Sequence, residues 1–424
     1  MTPSARLQAA IEILEHLQKS TQPADRLLRD WARSHRFAGS KDRAAIAERV
    51  YAVLRHSFSF AWRMQSGDPR SAVIASLLND DIPLAQIECL FDGSRYGPST
   101  LDNRERSQIT VTPSGAIPCS AEGEFPQFLQ AELERALGLN LLAEMKALTG
   151  RAPVDLRVNS LKVERDEVLD KLLAEGYSAE CTRFSPYGIR LPSSVGLSSL
   201  GRHGLFEAGA FEFQDEASQI ASLLARAQPG ERVLDLAAGA GGKSLALASE
   251  MKNRGKIVAC DIDERRLAAL RPRALRAGAS IIDTHVLKRE PPDGLFDLVF
   301  VDAPCSGTGV WRRQPELRGR LTPARLTDLM SIQDRLLDQA AAKVGPAGRL
   351  VYATCSILPC ENEDRVMAFL SHHPGFRLSN VGAIWRETGG AVDLPLPDDF
   401  FRASPYVTGT DGFFVGVLVR DKAP

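Results

Sequence analysis

The sequence predicts an α/β chain in three parts: a helical N-terminal region, a small α+β module, and a doubly wound domain on a mainly parallel sheet. Three observations carry this. Apolar residues recur at helical spacing through the first part of the chain. Near residue 151 the period changes, and Val154, Leu156 and Val158 alternate as in a strand. Strand-like and helix-like stretches then take turns, which implies parallel strands with helices on both faces. At 424 residues the chain is also too long for one ordinary core.

In "SARLQAAIEILEHLQKS" the residues Leu7, Ile11, Leu14 and Leu17 form an amphipathic helical stripe. "SKDRAAIAERVYAVLRHSFSFAWRM" continues it through Ile46, Val50, Val53, Leu54 and Phe58, with Ser40 as the expected N-cap. Helical patterns return at 71–90 and 126–148, separated by a turn-rich stretch that reads as a loop or hinge. After the strand at 154–158, "ERDEVLDKLLAEG" reads as a helix ended by Gly176 and "YGIRLP" as a short strand. The expected boundaries are a helical domain at 1–145, a module at 150–205 and the doubly wound domain at 206–424. In that last domain "RVLDLAA", "KIVACD", "DLVFVD" and "RLVYATC" are strands, separated by "GGKSLALASEM", "DERRLAALRPRALRAG" and "TPARLTDLMSIQDRLLDQAAAKV" as helices. Ligands in such Rossmann-like sheets sit beyond the carboxyl ends of the strands.

Overall charge is balanced, with 52 Lys and Arg against 53 Asp and Glu, so no global field points to a nucleic acid. Residues 1–64 nevertheless carry 11 basic and 6 acidic side chains, a bias suited to phosphates or to a solvated helix surface. No stretch has the length or order of a membrane span or a signal peptide, so a cytoplasmic protein is expected. Seven cysteines without a CxxC pair do not form a disulfide framework or a zinc site, and no metal is expected.

"VLDLAAGAGGKS" places Gly239, Gly241 and Gly242 between a strand and a helix, where glycine lets backbone approach a nucleotide. The spacing fits neither GxGxxG nor a phosphate-cradling loop, although Lys243 invites the latter. About twenty residues on, Asp261 ends the next strand, where a carboxylate accepts from ribose hydroxyls; Asp263 is better placed to cap the following helix. By itself this pattern does not choose between nicotinamide and S-adenosylmethionine cofactors.

Cys305 in "VDAPCSGTGVW" and Cys355 in "VYATCSILPCENED" both follow strands, with Cys360 just beyond. Buried structural thiols are the ordinary alternative, since free cysteine is among the most buried residue types. Against it stand Asp302 and Pro304 before Cys305, in loops where this fold puts chemistry. Cys89, Cys119, Cys181 and Cys260 lack such a setting and are assigned to packing. A thiolate adding to carbon 6 of a pyrimidine turns carbon 5 into a nucleophile able to take a methyl group. A second thiol then has a task in proton removal and release, and Asp302, protonated or sharing a proton with the base, would stabilise the adduct at ring nitrogen 3.

"VDAPCSGTG", "VYATCS", "FQDEASQ", "LRVNSLK" and "DGFFVGVLVR" together resemble the RsmB/Sun family of RNA cytosine-5 methyltransferases, from about Val154 to Arg420. "KDRAAIAERVYAVLRH" resembles the NusB-like RNA-binding domain attached to its ribosomal RNA members. The resemblance implies Cys355 as the nucleophile and Cys305 as the group that releases the product. It also implies S-adenosylmethionine against Ala237, Ala238, Gly239, Ala240, Gly241, Gly242 and Lys243, with its ribose on Asp261 and its methyl end near Asp302. The expected partner is an RNA, ribosomal before transfer RNA, met by a monomer. Two departures stand out: Ala237, Gly239 and Ala240 replace Cys, Ala and Pro of the family loop, and Leu287 replaces the acid that accepts from adenine. A non-catalytic RNA-binding or ribosome-assembly protein is the competing reading, and a methyltransferase for small molecules or proteins leaves the second thiol without a task. Arg312, Arg313, Arg318 and Arg320 suit phosphate contacts or an ordinary solvated loop, and Trp311 suits base stacking or packing.

Overall fold

The computed structural model describes residues 1–288, 291–388, 392–395 and 399–422. The chain forms two compact units, Met1–Gly150 together with Val310–Leu321, and Arg151–Gly309 together with Thr322–Pro424. Among the described residues, no helix is long and apolar enough to cross a membrane.

The first unit is helical. Pro3–Lys19 buries the stripe Leu7, Ile11, Leu14 and Leu17 that its spacing predicts. The stretch expected as one helix is two, Ser40–Arg55 and Ser57–Met64. The second starts on the buried Glu124 carboxylate, which accepts the Phe58 and Ser59 N–H groups at 2.9 and 3.3 Å. Gly39 rather than Ser40 is the N-cap residue, and Asp42 accepts the Gly39 N–H at 3.1 Å. Inside the expected loop, Asn103–Thr110 is helical because Asp102 and Glu105 satisfy each other's backbone N–H groups.

Val310–Leu321 is packed into this helical unit. Arg318 is fully buried, donates to the Arg55 and Leu148 carbonyls at 2.9 and 2.8 Å, and stacks over the equally buried Trp311 ring. Glu316 accepts the Ala24 N–H at 3.1 Å, and Arg320 donates to the Gln22 carbonyl at 2.8 Å. Arg318 thus fits neither of its two readings, a phosphate contact or a solvated loop, and Trp311 packs: both are closed off from solvent and fasten the segment.

The second unit holds two sheets. The smaller is antiparallel, in the order β2-β3-β1-β4, from β1 (Val154–Val158), β2 (Glu180–Cys181), β3 (Gly188–Leu191) and β4 (Phe211–Phe213). Its last strand lies beyond residue 205, so this sheet reaches further along the chain than the sequence pattern suggests. Every position of β1 is buried, Asp155 and Arg157 included, because Asp155 takes two 2.7 Å bonds from Arg190 and Arg157 donates to Gly242 O at 2.9 Å.

The larger sheet runs β10-β12-β9-β8-β5-β6-β7, with β11 paired to β12. Its strands are β5 (Arg232–Asp235), β6 (Lys256–Asp261), β7 (Ile282–Val286), β8 (Phe296–Asp302), β9 (Val344–Thr354), β10 (Phe376–Leu378), β11 (Phe401–Ala403) and β12 (Phe413–Arg420). β5 to β9 pair in parallel, while β10, β11 and β12 form the antiparallel edge. The order reverses between β5 and β8, and such a switch point opens a crevice at the strand carboxyl ends. "DERRLAALRPRALRAG" divides into Glu264–Ala268 and Leu270–Ala277, since Pro272 has no N–H for the Ala268 carbonyl and its ring crowds that oxygen.

Candidate active site and its two thiols

Neighbouring parallel strands deliver Asp235, Asp261, Asp302 and Thr354 to the same edge of the sheet. The loop after β5 is hooked onto β6: Ala238 N–H donates to Cys260 O at 2.8 Å and Gly239 N–H to Asp261 Oδ2 at 2.7 Å. Gly241 turns into the helix Gly242–Glu250 with φ 82°, and a Cβ there would lie 2.0 Å from Leu270 Cδ1, so only glycine fits. Where proline stiffens the related loop, Ala240 is held instead by Arg273, which donates to its carbonyl at 2.6 Å and is fixed by Glu212 at 2.9 Å. Sequence reasoning missed Arg157, Glu212 and Arg273, whose partners lie 33 to 85 positions away.

Lys243 points to the next acid rather than to a phosphate. Its Nζ lies 2.9 Å from Asp302 Oδ2 and 4.9 Å from the centre of the Phe413 ring. Asp302 is thus one half of an ion pair with Lys243. Asp261 Oδ1 also accepts the Asp263 N–H at 2.8 Å, which leaves each oxygen one free lone pair for a ribose hydroxyl. Asp263 caps the next helix, as its position suggests. Leu287 is buried in the sheet core, and its N–H donates to Asp261 O at 2.9 Å, so it offers adenine no acid. Asp235, also missed, lies fully buried beneath the loop; burial pushes its carboxyl up to about 7 although Ser244 Oγ donates to it at 2.5 Å.

The two thiols meet. Asp302 on β8 stands opposite Ala353 on β9, so both chains leave the sheet side by side and place Cys305 Sγ 3.3 Å from Cys355 Sγ. The hydrogen bond to Cys355, burial and nearby negative charge hold the Cys305 thiol well above its ordinary range. Two sulfurs this close do not both ionise readily, so the pair offers one thiolate and one proton carrier. Cys260, by contrast, is closed in the core, where burial pushes its thiol up to about 12.

Short bonds lock the two loops together. Thr308 Oγ1 accepts from Ile357 N–H at 3.0 Å and meets Ser356 Oγ at 3.1 Å, and Gly309 N–H donates to Cys355 O at 2.9 Å. Gly412 of the terminal "DGFF" donates to Gly309 O at 2.8 Å, and a Cβ on Gly309 would lie 2.2 Å from Gly412 O. Gly309→Ala is therefore expected to cost about 1–3 kcal/mol of stability by overpacking. A denaturant melt checks this, and a midpoint equal to the wild type would refute the close-approach argument.

Residues 221–419 match the profile of the 16S rRNA methyltransferase RsmB/F family, and residues 125–198 that of the ferredoxin-like domain of RsmF/B-like methyltransferases. Among curated relatives, a probable ribosomal RNA small subunit methyltransferase B of Bacillus subtilis is 30% identical over 302 residues, 70% of this chain and 66% of the relative. The 28S rRNA (cytosine-C(5))-methyltransferase of Mus musculus is 35% identical over 294 residues, 64% of this chain and 63% of the relative. The chain thus spans slightly under two thirds of the length of these relatives. The crystal structure of PH0851 superposes with a TM-score of 0.78 over 99% of both chains at 25% identity.

Proposed function

Because this chain belongs to the RsmB/F family of rRNA methyltransferases, we propose that it methylates carbon 5 of a cytosine in RNA, with ribosomal RNA as the favoured substrate. The observation that carries the reading is the 3.3 Å contact between Cys305 and Cys355 at the ends of adjacent parallel strands, with Asp302 at the base of the same loop. A methyltransferase without a covalent step has no use for two such thiols.

S-adenosylmethionine supplies an electrophilic methyl group, and the residues present fit it. Ala237 to Lys243 form an open glycine turn at a helix N-terminus, Gly242 has space around its Cα, and Asp261 keeps acceptor capacity. With that methyl donor bound, the Cys355 thiolate would add to carbon 6 and push the electron pair to carbon 5, whose attack on the methyl carbon would break the sulfonium S–CH3 bond and release S-adenosylhomocysteine. Asp302, braced by Lys243, accepts from the amino group on carbon 4 and orients the ring. Transfer of the carbon 5 proton to Cys305, in its thiolate form at this stage, would then restore the double bond and expel the Cys355 thiolate. The target base has to be unpaired or swung out of its stack.

The helical unit suits phosphate contact: Arg29, Arg33, Arg36 and Arg43 line one recess of about 410 Å³. Bisulfite sequencing of ribosomal and transfer RNA from cells with and without the gene tests the proposal. One protected cytosine that converts when the gene is removed is the expected result. Unchanged conversion in both RNAs, with no calorimetric binding of S-adenosylmethionine, would favour the non-catalytic reading instead.

A further inference from the structure

Behind the thiol pair lies an acid that the proposed chemistry leaves unused. Glu361, on the short turn Pro359–Glu361, is fully buried. Its Oε1 accepts the Ser306 N–H at 2.8 Å and Gln333 Nε2 at 3.0 Å, and its Oε2 accepts Ser306 Oγ. Gln333 Nε2 also donates to Pro304 O at 3.0 Å, so the carboxylate and its amide partner grip the residues on both sides of Cys305. The donors that hold Glu361 are neutral. Its negative charge reaches the Cys305 thiol, whose loop it holds.

We propose that Glu361 is a positioning residue that keeps the proton of the thiol pair on Cys305 and so leaves the negative charge to Cys355. The inference rests on reading the pair as nucleophile and helper. A buried anion behind Cys305 opposes a second anion on the same loop, and Cys355 is then the sulfur that ionises and accepts the S–H···S hydrogen bond. The negative charge of Glu361 is among the causes that raise the Cys305 thiol, after its bond to Cys355 and burial. The other titratable groups around Cys305 do not substitute for this. Tyr352 is held neutral by burial and donates its hydroxyl to Glu361 O at 2.7 Å, and Asp302 is engaged by Lys243. The consequence is an ordered reaction: the nucleophile is charged before the base arrives, and the helper holds its proton until the bond to carbon 6 consumes the Cys355 charge, when it releases that proton to water and is free to accept the one from carbon 5.

The test is thiol alkylation of the full chain by iodoacetamide across pH, with Cys305 and Cys355 peptides resolved by mass spectrometry. It needs no RNA. Glu361→Gln removes the charge and keeps the shape, and the Cys305 titration midpoint is expected to fall by about one unit, a roughly tenfold rise in its alkylation rate below that midpoint. The Cys355 midpoint should not fall with it. A Cys305 midpoint unchanged in a folded Glu361→Gln protein overturns the proposal. If that variant does not fold, Ser306→Ala decides. It strips the carboxylate of one hydrogen bond that disperses its charge, so Cys305 alkylation should slow several-fold relative to the wild type, and an unchanged or faster rate overturns the proposal. Should the midpoint shift while the wild type methylates no RNA, the proton placement stands and the functional reading fails.

Discussion

Cys355→Ala is expected to lower single-turnover transfer of labelled methyl to RNA by at least about a thousandfold, with S-adenosylmethionine affinity unchanged. Carbon 5 of cytosine attacks a methyl group only after a nucleophile has been added at carbon 6, so the loss removes the covalent path rather than one of several parallel contributions. The effect on binding is small because Cys355 lies after β9, whereas the cofactor loop is built from β5, β6 and the helix Gly242–Glu250. Cys355→Ser, which keeps the size, should be almost as inactive, since an alkoxide is far less accessible at neutral pH than a thiolate. Transfer by Cys355→Ala at more than about a tenth of the wild-type rate would rule out the covalent mechanism.

Cys305→Ala should behave in the opposite way. Addition and methyl transfer remain available, but the group in contact with the nucleophilic sulfur is gone, and the adduct accumulates. A slow-migrating protein–RNA band on a denaturing gel is expected, present only with S-adenosylmethionine or tight RNA binding and absent when Cys355 is also replaced. Turnover should drop by about 10²–10⁴, the range for losing a positioned proton-transfer group. Multiple turnover at the wild-type rate with no band would remove the release role from Cys305 and leave it as a packing residue beside Cys355.

Much of the larger sheet was legible because β5, β6, β8 and the second half of β9 are largely buried and read as apolar runs, each ending in a polar residue. "DLVFVD" and "RLVYATC" announce their own ends, and the positions of Asp302, Cys305 and Cys355 follow from those ends. The small sheet was harder. The residues of β1 alternate as in a half-buried strand, yet Asp155 and Arg157 are buried too, because Arg190 pairs with the one and the Gly242 carbonyl accepts from the other, partners invisible to a local pattern. Neither reading of the arginines after "VDAPCSGTGVW" covered Arg318, for a related reason: an Arg on an exposed loop and an Arg satisfied by buried carbonyls have the same sequence signature.

By itself the sequence determined the alternating parallel sheet, the glycine turn into a helix and the acids and thiols at the strand ends, because each depends on spacing within a few residues. Tertiary structure alone decided that two thiols fifty positions apart touch, that Lys243 serves Asp302, that Arg273 stands in for a missing proline and that Glu361 sits behind Cys305. Those relations depend on strand order and on which groups the interior leaves unpaired. Burial makes each polar group find a partner, and the partner it finds is set by the fold.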